Sequence, residues 1–172
     1  MPTPKSARDI LVTELKEIHS AERQLSRAMP KLLRRIQSDS LKQKLNDRLE
    51  QGTLIIDGLD DAFERMEVTK ARPKNIAAEG LIEDINQHLD QLDDPKLLEP
   101  VLLASIQKIE HYCIAAWGTA ASLGRLIGEQ ELVQVMERAL KQGKAYDEQL
   151  TELAERELNP AMLEEEREAE MA

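Results

Sequence analysis

The sequence predicts an all-α fold, a four-helix bundle with a short extra helix in the crossover, and three observations support it. Helix-forming residue types dominate, and aromatic residues make up only 2% of the 172 residues, so strand formers are scarce. Apolar residues recur at intervals of three and four over several long segments. Glycine and proline lie mostly between these segments or at their ends, where they would separate helices.

Composition and charge argue against several classes of function. The chain has 33 acidic and 23 basic residues and a net charge of −10, which argues against nucleic-acid binding. The segment MPTPKSARD has no apolar core, so we expect no secretory signal. No apolar run approaches the roughly 20 residues that span a membrane, and a single cysteine excludes an internal disulfide. These features predict a cytoplasmic, one-domain protein.

The first helix is predicted from about residue 6 to residue 36. Pro30 lies inside it and should kink the helix or split it near Met29. One carboxylate, Glu22, stands at a true position of the apolar stripe. The stripe consists of Leu11, Leu15, Ile18, Glu22, Leu25, Met29, Leu32 and Ile36.

Turn signals locate the second and third helices. The segment SDS offers Ser40 as the N-cap of the second helix. At mid-helix its stripe carries a glycine, Gly52, where the first helix carries a carboxylate. After a loop that contains Arg72-Pro73, a shorter helix is predicted at about 75–91.

Proline and glycine also delimit the last two helices. The fourth helix is predicted to start near Pro100, since proline is tolerated in a first turn, and to end at a C-cap glycine, Gly128. It is apolar or small nearly all round over 105–123. The fifth helix is predicted at about 129–157, with Asn159-Pro160 as its stop.

These elements predict the domain organisation and the assembly. We expect a disordered amino terminus at 1–5, a helical bundle at 6–158 and an acidic, disordered tail at 159–172. Four long helices with two short turns and one long crossover match a ferritin-like bundle. Because the fourth helix is apolar on more faces than one bundle covers, we expect a homodimer, and no other protein partner is indicated.

Three carboxylates, Glu22, Glu110 and Asp147, interrupt apolar stripes on three different helices. Counted from the turns, they should converge at mid-bundle, where a carboxylate is costly unless it is protonated, paired or bound to metal. At least one should therefore have a raised pKa. Ferritin-like bundles hold two metal ions with about six inward ligands, including histidines. Three acids, with no inward histidine predicted on the second or fifth helix, make a poor two-metal cage.

A structural interpretation needs no metal, because Glu22, Glu110 and Asp147 can be paired core acids. Their candidate partners are Arg23, Arg48, Tyr112 and Tyr146. Cys113 and Trp117 are predicted to be core residues. Gly143 is unusual in mid-helix, and it either admits a bulky neighbour or marks the place of a missing side chain. A small-ligand pocket at Gly52 and Gly143 is a third interpretation without a supporting motif.

Four segments resemble the YciE/YciF family of bacterial ferritin-like stress proteins. They are IHSAERQLSRAMPKL, AAEGLIEDIN, ASIQKIEHYCIAAWGTAASL and GKAYDEQLTELA. The resemblance implies a ferritin-like bundle that tends to dimerise and is associated with stress, and some members are labelled ferroxidases. It identifies Glu22, Glu110 and Asp147 as counterparts of the family's inward acids, and it adds Glu79 as a fourth candidate metal ligand.

The departures from the family pattern imply a degraded site. The family's HLEET string corresponds to residues 48–52 of this chain, and the positions with lost metal-binding groups are Gln51, Ile55, Cys113 and Gly143. We therefore predict a non-enzymatic, stress-associated scaffold or interaction protein without a cofactor. The alternative is a protein that binds iron or manganese and performs ferroxidase or peroxide chemistry. Restoring ligands by Gln51→Glu, Ile55→His and Gly143→Glu together should then raise metal uptake.

Overall fold

Five α-helices make up most of the structure, a computed structural model that describes residues 3–69 and 74–163. In chain order they are α1 (Ala7–Arg35), α2 (Asp39–Arg65), α3 (Ile76–Gln91), α4 (Pro95–Ile127) and α5 (Gln130–Leu153). A π-turn, Ala154–Leu158, follows α5, and helical backbone continues to residue 163. The described residues contain no β-strand, so the predicted all-α class is confirmed.

The four long helices form two hairpins, α1 with α2 and α4 with α5, each closed by a short turn. Across the bundle α1 also packs against α4, and α5 also packs against α2. The long crossover from α2 to α4 contains α3, which packs on α1 and α4. This is the ferritin-like arrangement with one long connection that the sequence predicts. It leaves α2 and α4 on opposite sides of the core.

The turn between α1 and α2 differs from its prediction. Ser38, and not Ser40, is the N-cap of α2, because its Oγ accepts a hydrogen bond from the Leu41 N–H at 3.2 Å. The buried carboxylate of Glu99 on α4 accepts hydrogen bonds from the backbone N–H groups of Gln37 and Ser38. A tertiary contact therefore fixes this helix start, and local capping rules do not include such contacts.

Prolines interrupt the helices less than predicted. The α4 helix begins at Pro95, where the Asp94 side chain caps it by accepting from the Lys96 N–H at 2.9 Å. The predicted start at Pro100 is therefore wrong, and this proline lies buried inside the helix. There it costs one backbone hydrogen bond near the helix end, and α4 continues through it. Pro30 likewise lies within a continuous α1.

The carboxyl end of α5 also extends beyond its predicted stop at Asn159-Pro160. In the π-turn the Asn159 N–H bonds to the carbonyl of Ala154, so the wider turn directly precedes the proline that lacks an N–H. Of the predicted disordered ends, residues 1–2 and 164–172 lie outside the described part of the chain.

The apolar stripes face the core as predicted. Trp117 and Phe63 are the largest apolar side chains there, and Gly128 ends α4 with a φ of 83°, the left-handed conformation of a C-cap glycine. Other fully covered residues include Leu11, Leu15, Leu41, Leu45, Leu59, Leu102, Leu132 and Leu150. In the part of the chain that the structure describes, no helix is long and apolar enough to cross a membrane.

Candidate functional site

Arg48 lies at the centre of the bundle, with its side chain about 1% exposed. It projects from α2, and its Nη1 and Nη2 donate to the two carboxylate oxygens of Glu22 on α1, at 3.0 and 3.1 Å. Its Nε donates to Oε2 of Glu110 on α4 at 2.7 Å. One guanidinium therefore joins the carboxylates of two other helices, with the planar fork geometry that arginine provides. We call these three residues the Arg48 cluster.

Burial and charge oppose each other in the Arg48 cluster. Burial lowers the pKa of the Arg48 guanidinium, but the neighbouring Glu22 and Glu110 outweigh burial and hold that pKa well above its ordinary value. Burial raises the pKa of the Glu110 carboxyl, and Arg48 offsets part of the rise. The prediction that at least one buried carboxyl has a raised pKa is thus confirmed. Arg48 itself is a permanent cation.

Trp117 and Cys113 from α4 complete the surroundings of the guanidinium. The guanidinium carbon of Arg48 lies 5.3 Å from the centroid of the Trp117 ring, within cation–π range. The Cys113 Sγ lies 3.6 Å from Nη2 of Arg48. Burial raises the pKa of the Cys113 thiol well above its ordinary value, so it remains a neutral thiol. Both residues are core residues, as predicted.

Two glycines make room for the Arg48 cluster. A Cβ at Gly52 would lie 3.1 Å from Oε2 of Glu22 and 3.2 Å from Nη1 of Arg48. A Cβ at Gly143 would clash with the ring of Trp117 and lie 2.7 Å from Oε1 of Glu110. Gly143 therefore admits a bulky neighbour. The cavity beside Gly52 holds about 10 Å³, room for roughly one water molecule, which is too small for the ligand pocket considered above.

Polar atoms beside the Arg48 cluster remain without a hydrogen-bond partner among the described residues. They are Oε1 of Glu110, Nε1 of Trp117 and the hydroxyl of Tyr146, all buried. Burial raises the pKa of the Tyr146 hydroxyl, and Glu110 raises it further, so the hydroxyl stays neutral. Two carboxyls face one guanidinium here. A proton on Oε1 of Glu110 would balance the charge, in agreement with the raised pKa of that carboxyl.

Asp147 does not join Glu22 and Glu110, so the predicted convergence of the three acids is wrong for this residue. Its Oδ1 accepts from Nε2 of Gln107 at 3.1 Å, and its Oδ2 lies 3.1 Å from Nε2 of His111, which is exposed. Asp147 follows Gly143 by four residues, which is about 400° of helical rotation, so its side chain points about 40° away from the core-facing direction of Gly143. Tyr146 is the buried residue of this turn.

The other residues singled out from the sequence also lie apart from a common site. Glu79 on α3 is partly exposed and pairs with Lys74. Gln51 donates to the backbone carbonyl of Ala139 on α5 at 3.4 Å, and Ile55 is a buried core residue. None of the contacts among the described residues connects Glu79 to the Arg48 cluster.

The residues around Arg48 do not fit a two-metal centre. Such a centre uses about six inward ligands, including histidines. Among the residues that the structure describes, no group of three His, Cys, Asp or Glu side chains is placed to hold even one ion. Both oxygens of Glu22 are committed to Arg48, and the guanidinium lies between Glu22 and Glu110. A cation is therefore already present where a metal ion would have to bind.

The central role of Arg48 was missed from the sequence, where it was one of several candidate partners. Two signals indicate it. Arg48 lies one helical turn before Gly52 on the same face, so a long side chain there can reach the space that the glycine leaves. In addition, Arg48 stands at the position of the histidine in the family's HLEET string, and histidine is a residue type that binds metal.

Comparison with known proteins agrees with the fold. Residues 6–163 match the family model described as a domain of unknown function, DUF892. Protein YciF of Escherichia coli (strain K12) is 34% identical over 156 residues, which cover 90% of this chain and 94% of YciF. The crystal structure of the E. coli stress protein YciF superposes with a TM-score of 0.85 at 33% identity, and covers 91% of this chain and 99% of that one.

A second solved structure is similar. YcfI from Rhodopseudomonas palustris, described provisionally as a structural protein, gives a TM-score of 0.81 at 27% identity, with 86% of this chain and 94% of YcfI covered. The resemblance of the sequence segments and the ferritin-like fold are thereby confirmed. The chain therefore belongs to the YciE/YciF family, whose shared domain (DUF892) is described as one of unknown function.

Proposed function

We propose that this protein is a non-enzymatic, stress-associated ferritin-like scaffold or interaction protein in which an arginine has replaced the metal ions of the fold. The observation that supports this proposal is the position of Arg48, whose guanidinium donates to Glu22 and Glu110 at the centre of the bundle. The relatives carry names of the same kind, since YciF is called a stress protein and YcfI provisionally a structural protein.

The Arg48 cluster suits a structural role better than a chemical one. A guanidinium has no coordination position to open for a substrate, and it neither changes oxidation state nor releases its proton at physiological pH. It does connect three helices through charge-assisted hydrogen bonds that depend on direction. Replacement of a buried pair of this kind by apolar residues is often neutral for stability, so a gain in stability does not by itself explain the cluster. We infer that the cluster sets the register of α1, α2 and α4.

Metal analysis tests the proposal. Protein purified without chelator, with excess Fe²⁺ or Mn²⁺ then added and the unbound ions removed, is expected to retain much less than one ion per chain by elemental analysis. It should not accelerate the oxidation of Fe²⁺ above the rate in buffer. Both expectations follow because Glu22 and Glu110 are already paired with a permanent cation.

The variant Arg48→Met/Glu22→Gln/Glu110→Gln is the matched control for that experiment, because it removes both acids without leaving a buried unpaired charge. Residual metal at surface groups such as His111 and Asp147 should be unchanged in it, since those groups lie outside the Arg48 cluster. Two iron or manganese ions per wild-type chain that are lost in this variant would refute the proposal. A single ion lost in the same way would favour the alternative, an iron- or manganese-binding protein with ferroxidase or peroxide chemistry.

We also propose that the scaffold is a homodimer that pairs through α4. An open groove of about 530 Å³ runs along α4 and α5, with Ala115, Gly118 and Leu123 among its lining residues. Leu126, further along α4, is 71% exposed. Burial of this small and apolar face against a second copy would remove it from water.

Sedimentation measures this assembly directly. The wild type is expected to sediment as a dimer at micromolar concentration, and Ala115→Arg should shift it to the 19.5 kDa monomer. Thr53→Arg, at an exposed position of α2, should leave the dimer intact. A wild-type monomer, or equal effects of the two variants, would count against this assembly.

A further inference from the structure

A basic cleft lies beside α1, at the start of α3. It has a volume of about 250 Å³, and its lining consists of Ser20, Arg23, Gln24, Arg27 and Lys74. Three of these five residues are cationic. On a chain with a net charge of −10, such a concentration of positive charge is a local exception.

Within residues 3–69 and 74–163, the two arginines of the basic cleft have no partner. Arg23 is half-buried and Arg27 is exposed, and neither forms a hydrogen bond or an ion pair with any residue that the structure describes. They stand one turn apart on α1, so their like charges repel. The adjacent acid, Glu22, points into the core, where it is committed to Arg48. The arrangement therefore leaves two guanidinium groups available to an anion.

Hydrogen bonds hold the walls of the basic cleft in place. The Oγ of Ser20 accepts from the backbone N–H of Asn75 at 3.1 Å and from Nε2 of Gln24 at 3.3 Å. The amide of Asn75 donates to the Glu17 carbonyl at 3.1 Å and to the Tyr112 hydroxyl at 2.6 Å. The start of α3 is thus tied to α1 and α4. A site with fixed walls loses less conformational entropy when it binds a ligand.

We propose that the basic cleft binds a small anion that carries phosphate groups, of the size and charge of pyrophosphate. Guanidinium forks match phosphate oxygens in pairs, and two arginines one turn apart can each take one phosphate group. Lys74 adds a third positive charge, although it shares that charge with Glu79. None of the five lining side chains is aromatic, so the cleft recognises the phosphates and offers no stacking surface to a base.

Calorimetric titration of metal-free protein with sodium pyrophosphate at constant ionic strength tests this inference. The wild type should bind one pyrophosphate per chain, and Arg23→Ala/Arg27→Ala should weaken binding at least about tenfold through the loss of charge-assisted hydrogen bonds. This variant should remain folded by circular dichroism, because neither arginine bonds to any of the residues that the structure describes. Because bound metal is removed with a chelator before the titration, the result does not depend on whether the protein binds iron or manganese.

The control variant is Arg138→Ala/Lys141→Ala, which removes the same charge from exposed positions of α5. It should change the affinity less than about twofold, because long-range charge effects are screened at physiological salt. The inference is overturned if the wild type shows no saturable binding up to millimolar pyrophosphate. Equal losses in the two double variants would overturn it as well, because binding would then depend on net charge alone.

Discussion

Replacement of Arg48 by methionine is expected to destabilise the folded state by about 3–5 kcal/mol at neutral pH, the cost of breaking a buried ion pair from one side. The change leaves Glu22 and Glu110, each about 1% exposed, without a compensating cation. Methionine fills much of the same volume, so the lost stability comes mainly from the unpaired carboxylates and less from changed packing. Urea denaturation followed by circular dichroism measures it. For comparison, Arg125→Met breaks an exposed pair with Glu137 and should cost at most about 1 kcal/mol.

The pH dependence identifies the cause of this destabilisation. Without Arg48, burial acts unopposed on the Glu110 carboxyl, so its pKa should lie further above its value in the unfolded chain and the folded state should bind more protons over that interval. Stability should then rise as pH falls towards the ordinary carboxyl range, and the deficit relative to the wild type should shrink. A variant with Arg48→Met, Glu22→Gln and Glu110→Gln should recover much of the loss at neutral pH. A deficit independent of pH would contradict the electrostatic explanation.

Helical periodicity predicted the fold well because it is a local property. The stripes of α1, α2 and α5 face the core, and Gly128 ends α4 where composition indicated. The wrong boundaries have two kinds of cause. Glu99 on α4 fixes the start of α2, and no window of neighbouring residues contains this contact between distant segments. The helix after α5 instead continues past Pro160 behind a local π-turn, in which the Asn159 N–H bonds to the Ala154 carbonyl.

The candidate site was only partly predictable for a related reason. Spacing along a helix gives the direction of a side chain within about one residue, and one residue corresponds to roughly 100° of rotation. An error of one residue is enough to exchange Tyr146, which is buried, for Asp147, which bonds to Gln107 and His111. The pairing of Arg48 with Glu110 joins helices on opposite sides of the core, 62 residues apart. Only the folded arrangement reveals it.

Gly143→Ala is expected to destabilise the protein by about 1–3 kcal/mol, which makes it the second large effect. The added methyl group would overlap the ring of Trp117, lie 2.7 Å from Oε1 of Glu110 and press on Ile114 at 3.3 Å. All of these neighbours belong to α4, the most covered helix, so they cannot move freely. The clash must also overcome the gain of about 1 kcal/mol that alanine brings to a helix interior.

Gly80→Ala is the matched control, because nothing lies within 4 Å of a Cβ at this exposed position of α3. It should stabilise the protein by about 0.5–1 kcal/mol, so the two glycine variants are expected to differ in sign. Thermal and urea denaturation of both variants give the comparison. If Gly143→Ala were neutral or stabilising, the close packing of Trp117 against α5 would be refuted.

The same contact changes what is needed to rebuild a metal site. The replacements suggested by the family pattern, Gln51→Glu, Ile55→His and Gly143→Glu, ignore the side chains that now fill the space. A glutamate at position 143 would meet Trp117 and Glu110 at its first side-chain carbon. We therefore expect those three replacements to unfold the protein or leave metal uptake unchanged while Arg48 and Trp117 remain. A second variant adds Arg48→His and Trp117→Ala to these three replacements, which removes the guanidinium and the indole ring from the centre of the bundle. Elemental analysis should detect iron or manganese in this five-fold variant and not in the three-fold one.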